Sequence, residues 1–139
     1  MADAEENGLT IADDASLLIV DDEINLRLQL AKAMDRRGFQ TDVAESVAEG
    51  IRAVEARPPK YAVIDLRLDD GSGLDVVETL RRVRPDARIV VLTGYGNIAT
   101  AVAAVKAGAV DYLPKPADAD QVAAALLADG STLPPPPDR

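Results

Sequence analysis

The chain has 139 residues and a formal net charge of −9, and hydrophobic residues make up 47% of it although aromatic ones make up only 3%. This length fits one domain with an aliphatic core. The absence of cysteine and histidine excludes disulfide scaffolds, thiol catalysis, thiolate zinc sites and imidazole-based catalysis. The acidic balance argues against direct binding of nucleic acid, and no apolar run is long enough to cross a bilayer.

Composition divides the chain into three parts. Residues 1–15 are acidic and lack periodicity, which predicts a flexible tail, and their acidity is unlike a secretory signal. Residues 130–139 contain four consecutive prolines and predict an extended linker. A linker implies a further domain, so we expect the natural protein to continue beyond it, although a free tail is the alternative. Residues 16–129 are predicted to form the folded domain.

Strand and helix patterns alternate five times within this domain. The strands are predicted at 16–21, 40–44, 61–65, 88–93 and 110–113. This alternation favours an α/β fold, a doubly wound parallel sheet of five strands with five helices on its two faces.

Capping residues indicate where several helices begin. Ser46 followed by Glu49 predicts a capping box on the second helix. Asn97 is the predicted cap of the fourth helix. Asp118 with Gln121 is expected to open the last one.

Polar residues end or directly follow four of the predicted strands: Asp21 and Asp22, Asp65, Thr93 and Lys115. Doubly wound sheets bind ligands beyond the carboxyl ends of their strands, so these side chains are expected to share one pocket. Three neighbouring carboxylates repel one another unless a cation lies among them. Because the chain offers no imidazole or thiolate ligand, Mg²⁺ or Mn²⁺ is the favoured ion.

Such a set can accept a phosphoryl group. A carboxylate neutralised by a metal can act as a nucleophile and form an acyl phosphate. The lysine and the threonine hydroxyl can then bind the phosphoryl oxygens. Gly94, beside Thr93, leaves the site open to water and so permits hydrolysis.

The complete set resembles the response-regulator receiver family, the partners of sensor histidine kinases. It comprises the DD pair at 21–22, Asp65 after VI, Thr93 in VVLTGYG, and KP at 115–116 after DYLP. The resemblance covers about residues 16–128. It implies a flavodoxin-like or CheY-like fold with strand order 2-1-3-4-5.

The resemblance also implies a role for each matching acid. Asp65 would be the phosphorylation site. Asp22 and Asp65 would bind Mg²⁺, Asp21 would act through a metal-bound water, and the main-chain carbonyl of Arg67 would be a further ligand. The protein would catalyse only its own phosphorylation and dephosphorylation, and would otherwise be a switch and not an enzyme.

The remaining family positions concern switching. Thr93 and Tyr112 are similar to the family's switch pair, in which the hydroxyl moves to the phosphoryl group and the ring turns inward. Lys115 would bind the phosphoryl group, and its peptide bond to Pro116 would be cis. The surface of the fourth helix, fifth strand and fifth helix would then control an effector domain.

Within the family, the chain is similar to the redox-responsive regulators of the RegA, PrrA and ActR type. The stretches that carry this similarity include AKAMDRRGF, AESVAEG, DLRLDDGSGL and the proline linker. It implies a cytoplasmic transcriptional regulator whose helix-turn-helix domain, absent here, would follow the linker and make the contact with DNA. The partner would be a membrane-bound redox sensor kinase, and the regulator itself would not insert into a membrane.

Each residue also has a plainer interpretation when taken alone. The pair Asp21 and Asp22 fits a helix cap, and Asp65 fits a turn. Thr93 fits an ordinary strand and Lys115 an ordinary loop. Only their joint appearance at strand ends favours the phosphoacceptor site. The Asp-Asp-Gly at 69–71 is assigned to turn chemistry, without a function.

The last two predicted helices are apolar and poorly charged. Either both of their faces are buried, or they form with the fifth strand a surface that pairs two phosphorylated chains. Tyr112 either packs at an edge of the sheet or acts in the switch.

Three other functions compete with the phosphoacceptor hypothesis. A flavin or nucleotide module lacks its Gly-rich phosphate loop here. A Mg²⁺-dependent phosphatase with Asp65 as nucleophile would need a general acid that is not apparent. A degenerate receiver that acts only as a scaffold would not need the intact acidic set.

Overall fold

The computed structural model describes residues 14–94 and 98–128. The predicted Asn97 cap, the linker at 130–139 and all but the end of the predicted tail lie outside these residues.

Five parallel strands form one sheet, and five helices flank it. The strands are β1 (Ser16–Val20), β2 (Gln40–Ala44), β3 (Tyr61–Asp65), β4 (Arg88–Thr93) and β5 (Asp111–Pro114). The helices are α1 (Ile24–Arg36), α2 (Val47–Ala56), α3 (Leu74–Val83), α4 (Ile98–Ala107) and α5 (Ala119–Leu127). The strands are ordered β2-β1-β3-β4-β5, so the predicted fold class is confirmed.

The loop after β3 contains a short element that the sequence did not predict. Arg67–Leu68 pairs antiparallel with Gly71–Ser72 around a turn at Asp69 and Asp70. This two-residue ladder fixes the loop that follows Asp65.

The core has two layers because side chains of successive strand residues point to opposite faces of the sheet. Ile19, Val63 and Val90 pack with α1 and α5, whereas Val20, Ile64 and Val91 pack with α2 and α3. All five strand residues of β3 are buried, as expected for the central strand of a parallel sheet covered on both faces. The sheet therefore gives the loops at its carboxyl end a rigid base.

Gly50 lies where α2 approaches the sheet and α3 closely. A Cβ at this position would lie 3.1 Å from Cγ2 of Val76 and 3.3 Å from Cγ2 of Val20. The packing thus explains a glycine in the middle of a helix, which otherwise costs stability.

Two side chains from different segments cap the start of α2, the hydroxyl of Ser46 and the carboxylate of Asp70. Ser46 accepts a hydrogen bond from the N–H of Glu49 over 3.1 Å. The carboxylate of Glu49, however, accepts from the N–H of Glu45, one residue before the cap, so the predicted capping box is only half formed. Asp70 supplies the second cap, because it accepts from the N–H groups at 47 and 48 over 2.8 and 3.1 Å. On α5 both halves of the predicted box are present.

Asp14, at the end of the predicted tail, is bonded to the folded domain. It accepts hydrogen bonds from the N–H and hydroxyl of Ser16 and pairs with Arg84 over 2.7 Å. Arg84 also pairs with Asp86, which in turn pairs with Lys60. The network joins the segment before β1 to the loops that precede β3 and β4.

Among the described residues, no helix combines the length and apolarity that crossing a membrane requires.

Candidate functional site

The parallel sheet brings the predicted residues to one edge. Asp21 and Asp22 directly follow β1, Asp65 and Thr93 end β3 and β4, and Lys115 directly follows β5. Carboxylate oxygens of Asp21, Asp22 and Asp65 all lie within 4.8 Å of one another. The predicted convergence of these acids is therefore present in the structure.

Lys115 reaches into this group of acids from β5. Its Nζ donates a hydrogen bond to Oδ2 of Asp65 over 3.0 Å and lies 3.3 Å from Oδ2 of Asp21. The main-chain N–H of Lys115 donates to the carbonyl of Thr93 over 2.7 Å, which fixes the start of the loop. One ammonium group is thus shared by two buried carboxylates.

Asp21 is 1% exposed, which is unusual for a carboxylate. Its Oδ1 accepts from the N–H of Glu23 over 2.9 Å, but its Oδ2 accepts no hydrogen bond from the described residues despite the ion pair with Lys115. Glu23 is the N-cap of α1 and makes no side-chain capping bond. The plainer interpretation of the acidic pair as an ordinary helix cap therefore does not account for the buried Asp21.

These three acids have the donor set of a hard divalent cation. A buried carboxylate oxygen without a hydrogen bond needs a compensating partner, and oxygen ligands suit Mg²⁺. Asp21, Asp22 and Asp65 therefore fit such an ion.

Burial and charge set the protonation of the central pair. Burial raises the pKa of Asp65, and the nearby charge of Asp21 adds to this, against the lowering effects of the Arg67 N–H and of Lys115. Burial opposes the charge of Lys115, but its bond to Asp65 and the charges of Asp65 and Asp21 hold its pKa above the ordinary value. The ammonium is therefore charged at neutral pH, and it favours the carboxylate form of Asp65.

The other predicted positions lie on β4, on β5 and in the loops after β3 and β5. The N–H of Arg67 donates to Oδ1 of Asp65 over 3.0 Å, which orients the carboxylate. Thr93 is buried, whereas Tyr112 on β5 is 41% exposed and so lies on the surface. The Lys115–Pro116 peptide bond is cis.

Two residues near the site had no functional assignment from the sequence. Asp69 lies beside Asp22, whose negative charge is the main cause of its raised pKa. Arg27 is buried and donates to the main-chain carbonyl of Asp21 over 2.8 Å, while its other nitrogen lies 3.8 Å from Glu45. Neither contact has a signal in the local sequence, because both depend on how separate loops meet.

A groove of about 500 Å³ runs from the site along the start of α1. Its walls include Leu26 and Gln29 on one side and Gly94, Lys115 and Pro116 on the other. The side chain of Lys115 thus lies between the acidic pocket and an accessible surface.

A doubly wound sheet with acids after β1 and β3 and a lysine after β5 defines a receiver-type signalling domain. The family model of the response regulator receiver domain matches residues 17–127. The chain belongs to this family, whose members are signalling proteins of two-component systems and not metabolic enzymes.

Comparison with curated proteins shows which members of the family this chain is similar to. The chain is 65% identical over 133 residues to the photosynthetic apparatus regulatory protein RegA of Rhodovulum sulfidophilum, which covers 96% of this chain and 73% of that protein. It is 65% identical over 117 residues to the acid tolerance regulatory protein ActR of Rhizobium meliloti, covering 84% of this chain and 60% of that protein. The expected similarity to the RegA and ActR type is confirmed.

Solved structures agree with the fold. A response regulator from Burkholderia pseudomallei, crystallised with a phosphorylated aspartic acid, a calcium ion and citrate, superposes with a TM-score of 0.79 at 41% identity. The match covers 85% of this chain and 69% of that one. The receiver domain of NtrX from Brucella abortus gives a TM-score of 0.70 at 31% identity, over 77% of this chain and 91% of that one.

Proposed function

We propose that Asp65 accepts a phosphoryl group in a reaction that depends on Mg²⁺ and that switches the surface formed by α4, β5 and α5. The observation that carries this proposal is the buried acidic group with Lys115 3.0 Å from Asp65. Mn²⁺ is an alternative ion with the same preference for oxygen ligands.

Each residue of the site has its own role in the proposed phosphoryl transfer. Asp22 and Asp65 would hold the ion, with Asp21 acting through a water ligand and the carbonyl of Arg67 completing the protein's contribution. When bound, the ion supplies charge neutralisation between the carboxylate and the incoming phosphoryl oxygens. The N–H of Arg67 keeps Asp65 oriented for attack.

The chemical step replaces one bond to phosphorus with another. An Asp65 oxygen forms the new P–O bond while the bond from phosphorus to the donor's nitrogen or oxygen breaks, and the leaving group keeps that electron pair. Lys115 pairs with the phosphoryl oxygens, and the hydroxyl of Thr93 donates to one of them. Hydrolysis by water later returns the carboxylate and releases inorganic phosphate.

Incubation with acetyl phosphate and Mg²⁺ tests this function. Intact mass should show the addition of one phosphoryl group to the wild type and to Asp35→Asn, a matched variant at the far end of α1. Asp65→Asn should remain unmodified. Modification of Asp65→Asn to the same extent as the wild type, or efficient modification with chelator in place of Mg²⁺, would refute the proposal. Fast steady turnover of an aryl phosphate would favour the phosphatase alternative instead.

The switch would act through Thr93 and Tyr112. Thr93 is buried at the end of β4, and the exposed Tyr112 lies on β5, the neighbouring strand. Movement of the hydroxyl toward a phosphoryl group would vacate space that the ring can enter. Beryllofluoride with Mg²⁺ should therefore change tyrosine fluorescence in the wild type but not in Tyr112→Leu if this ring reports the switch.

The surface next to Tyr112 is the proposed contact for pairing. It exposes large apolar side chains: Val102, Val105, Val110 and Leu127. Exposed apolar patches mark interaction surfaces, and we infer dimerisation that is strengthened by phosphorylation. Sedimentation should show a larger species with beryllofluoride for the wild type but not for Val105→Lys. Equal sedimentation of the wild type with and without beryllofluoride would contradict it.

Membership of the family suggests the source of the phosphoryl group and the process that the protein regulates. A two-component regulator takes its phosphoryl group from a sensor histidine kinase, and the groove along α1 gives such a partner access to the site. Because the relatives are named for regulation of the photosynthetic apparatus and for acid tolerance, we infer a cytoplasmic transcriptional regulator. In this proposal a membrane-bound redox sensor is the kinase, and a helix-turn-helix domain beyond the proline segment binds DNA.

A further inference from the structure

The buried face of α1 begins with a charged residue. Arg27 is 8% exposed, although arginine is almost never fully buried unless it is paired. It is the first of the three buried residues of the helix, and Leu30 and Met34 follow it on the same face. A guanidinium group therefore lies under the edge of the sheet that carries the acids.

Arg27 contacts the end of β1 and the loop after β2. One of its terminal nitrogens donates a hydrogen bond to the main-chain carbonyl of Asp21 over 2.8 Å. The other lies 3.8 Å from Oε1 of Glu45, whose side chain is 60% exposed. Because a long ion pair with an exposed carboxylate contributes little, the bond to the carbonyl is the stronger of the two contacts.

The bond from Arg27 holds the peptide unit that joins Asp21 to Asp22. The N–H of Asp21, just beyond β1, donates to the carbonyl of Ala44 over 3.1 Å. Oδ1 of Asp21 accepts from the N–H of Glu23 over 2.9 Å. Arg27 adds the bond to the carbonyl, so the turn that carries two of the three acids is held at an N–H, a carboxylate and a carbonyl.

We propose that Arg27 is a positioning residue for phosphoryl transfer to Asp65, and that it acts through the peptide that joins Asp21 to Asp22. This inference rests on the proposed phosphoacceptor function. Rotation of that peptide would displace the carboxylate of Asp22 relative to Asp65, and a displacement of about 1 Å near the reacting atoms can slow a reaction by about 100-fold.

The partner of Arg27 explains why a guanidinium suits this position. The bond goes to a carbonyl, so the carboxylates of Asp21 and Asp65 stay available to Lys115, whose Nζ lies 3.3 and 3.0 Å from their oxygens. An apolar side chain would continue the buried face of the helix, and exchange of a buried charge for an apolar group is often neutral or stabilising. Packing alone therefore does not favour arginine here.

The rate of modification by acetyl phosphate at saturating Mg²⁺ tests this role, measured by intact mass on proteins that circular dichroism shows to be folded. Arg27→Met lacks the donor and should react at least about tenfold more slowly than the wild type. Arg27→Lys keeps the charge and a donor but not the planar fork, so its rate should lie between the two. In the metal-free protein, the amide resonance of Asp22 should shift in Arg27→Met, whereas that of Leu80 in α3 should not.

Two variants serve as controls. Arg36→Met makes the same substitution at an exposed position, about 14 Å further along α1, and should react at the wild-type rate. Glu45→Gln removes the long ion pair and should slow the reaction by less than about twofold.

The outcomes separate the role of Arg27 from the function on which it rests. No modification of the wild type would refute the phosphoacceptor function itself. A wild-type rate or an unmoved Asp22 amide in folded Arg27→Met would refute the role of Arg27 alone, and so would equal slowing by Glu45→Gln. If Arg27→Met did not fold, a wild-type rate in Arg27→Lys would make Arg27 structural only, whereas a reduced rate in Arg27→Lys would support the positioning role.

Discussion

Lys115 and Asp65 are 50 positions apart in the chain, yet the Nζ of one lies 3.0 Å from Oδ2 of the other. The same ammonium lies 3.3 Å from Oδ2 of Asp21. Because β5 and β1 lie on opposite sides of β3 in the sheet, this lysine connects the ends of three strands. It therefore has both a structural and a chemical role.

Replacing Lys115 with methionine should destabilise the metal-free protein. The change leaves Asp21 and Asp65 buried without their cation, at a cost of about 1 to 3 kcal/mol because the lysine is itself partly exposed. Mg²⁺ should recover much of the loss, since it can replace the missing charge. Chemical denaturation with and without Mg²⁺ measures both effects.

Lys32→Met is the control, because Lys32 is exposed on α1. It should have near wild-type stability and no altered response to Mg²⁺. If Lys115→Met matched the wild type in free energy of unfolding without Mg²⁺, the ion pair would not be the stabilising contact described here.

Lowering the pH should weaken the contacts of Asp14 with Ser16 and Arg84, which hold the segment before β1. Burial opposes the charge of Asp14, but hydrogen bonds from Ser16 and the guanidinium of Arg84 hold its pKa below the ordinary value. A lowered folded-state pKa gives stability that is present above the unfolded pKa and is lost as pH falls through the folded pKa. The contribution is below about 1 kcal/mol because the side chain is partly exposed.

Melting temperatures of the wild type and Asp14→Asn measure this contribution. At pH 7 the variant should melt lower. The difference should shrink as pH falls from about 5 to about 3, where the wild-type carboxylate becomes protonated. A difference that stayed constant over this range would show that the charge of Asp14 is not responsible.

Much of the fold follows from the sequence because its signals are local. Alternating apolar runs and amphipathic stretches predict the five βα units, and Asp118 with Gln121 predicts the start of α5 correctly. The convergence of Asp21, Asp65 and Lys115 follows from a general property of parallel sheets, whose strand ends share one edge.

The missed contacts depend on how distant segments meet. Asp70 has the ordinary sequence context of a turn, yet it caps a helix 22 residues or more earlier in the chain. Arg27 lies between Leu26 and Leu28 in α1, and it is buried where it donates to the carbonyl of Asp21. No local pattern distinguishes these side chains from exposed ones, so only the packed loops identify their partners.

Removing the carboxylate of Asp70 should loosen the start of α2. Asp70→Ala leaves the N–H groups of Val47 and Ala48 without their acceptors, which should lower the melting temperature by roughly 2 to 5 °C. Asp70→Asn keeps one oxygen and should lose about half as much. Unchanged melting of Asp70→Ala would mean that Ser46 alone satisfies this helix end.

Gly73 should tolerate no side chain. An added Cβ would collide with the main-chain oxygen of Asp65 and lie 2.8 Å from Cγ2 of Ile64, and a backbone atom on the central strand cannot move aside. Gly73→Ala should therefore lose at least about 3 kcal/mol of stability or fail to fold. Near wild-type denaturation would contradict this tight approach of α3 to β3.

Gly94 is the counterpart of Gly73 on the open side of the site. An added Cβ here would meet no atom of the described residues within 4 Å, so Gly94→Ala should unfold at the same denaturant concentration as the wild type. Because Gly94 follows Thr93 and lines the groove beside Lys115, the methyl group would narrow the path of water to the phosphorylated Asp65. The aspartyl phosphate should therefore last longer in the variant, as intact mass measured over time after removal of acetyl phosphate would show. A shorter or equal lifetime at equal stability would mean that water reaches the acyl phosphate by a path that avoids Gly94.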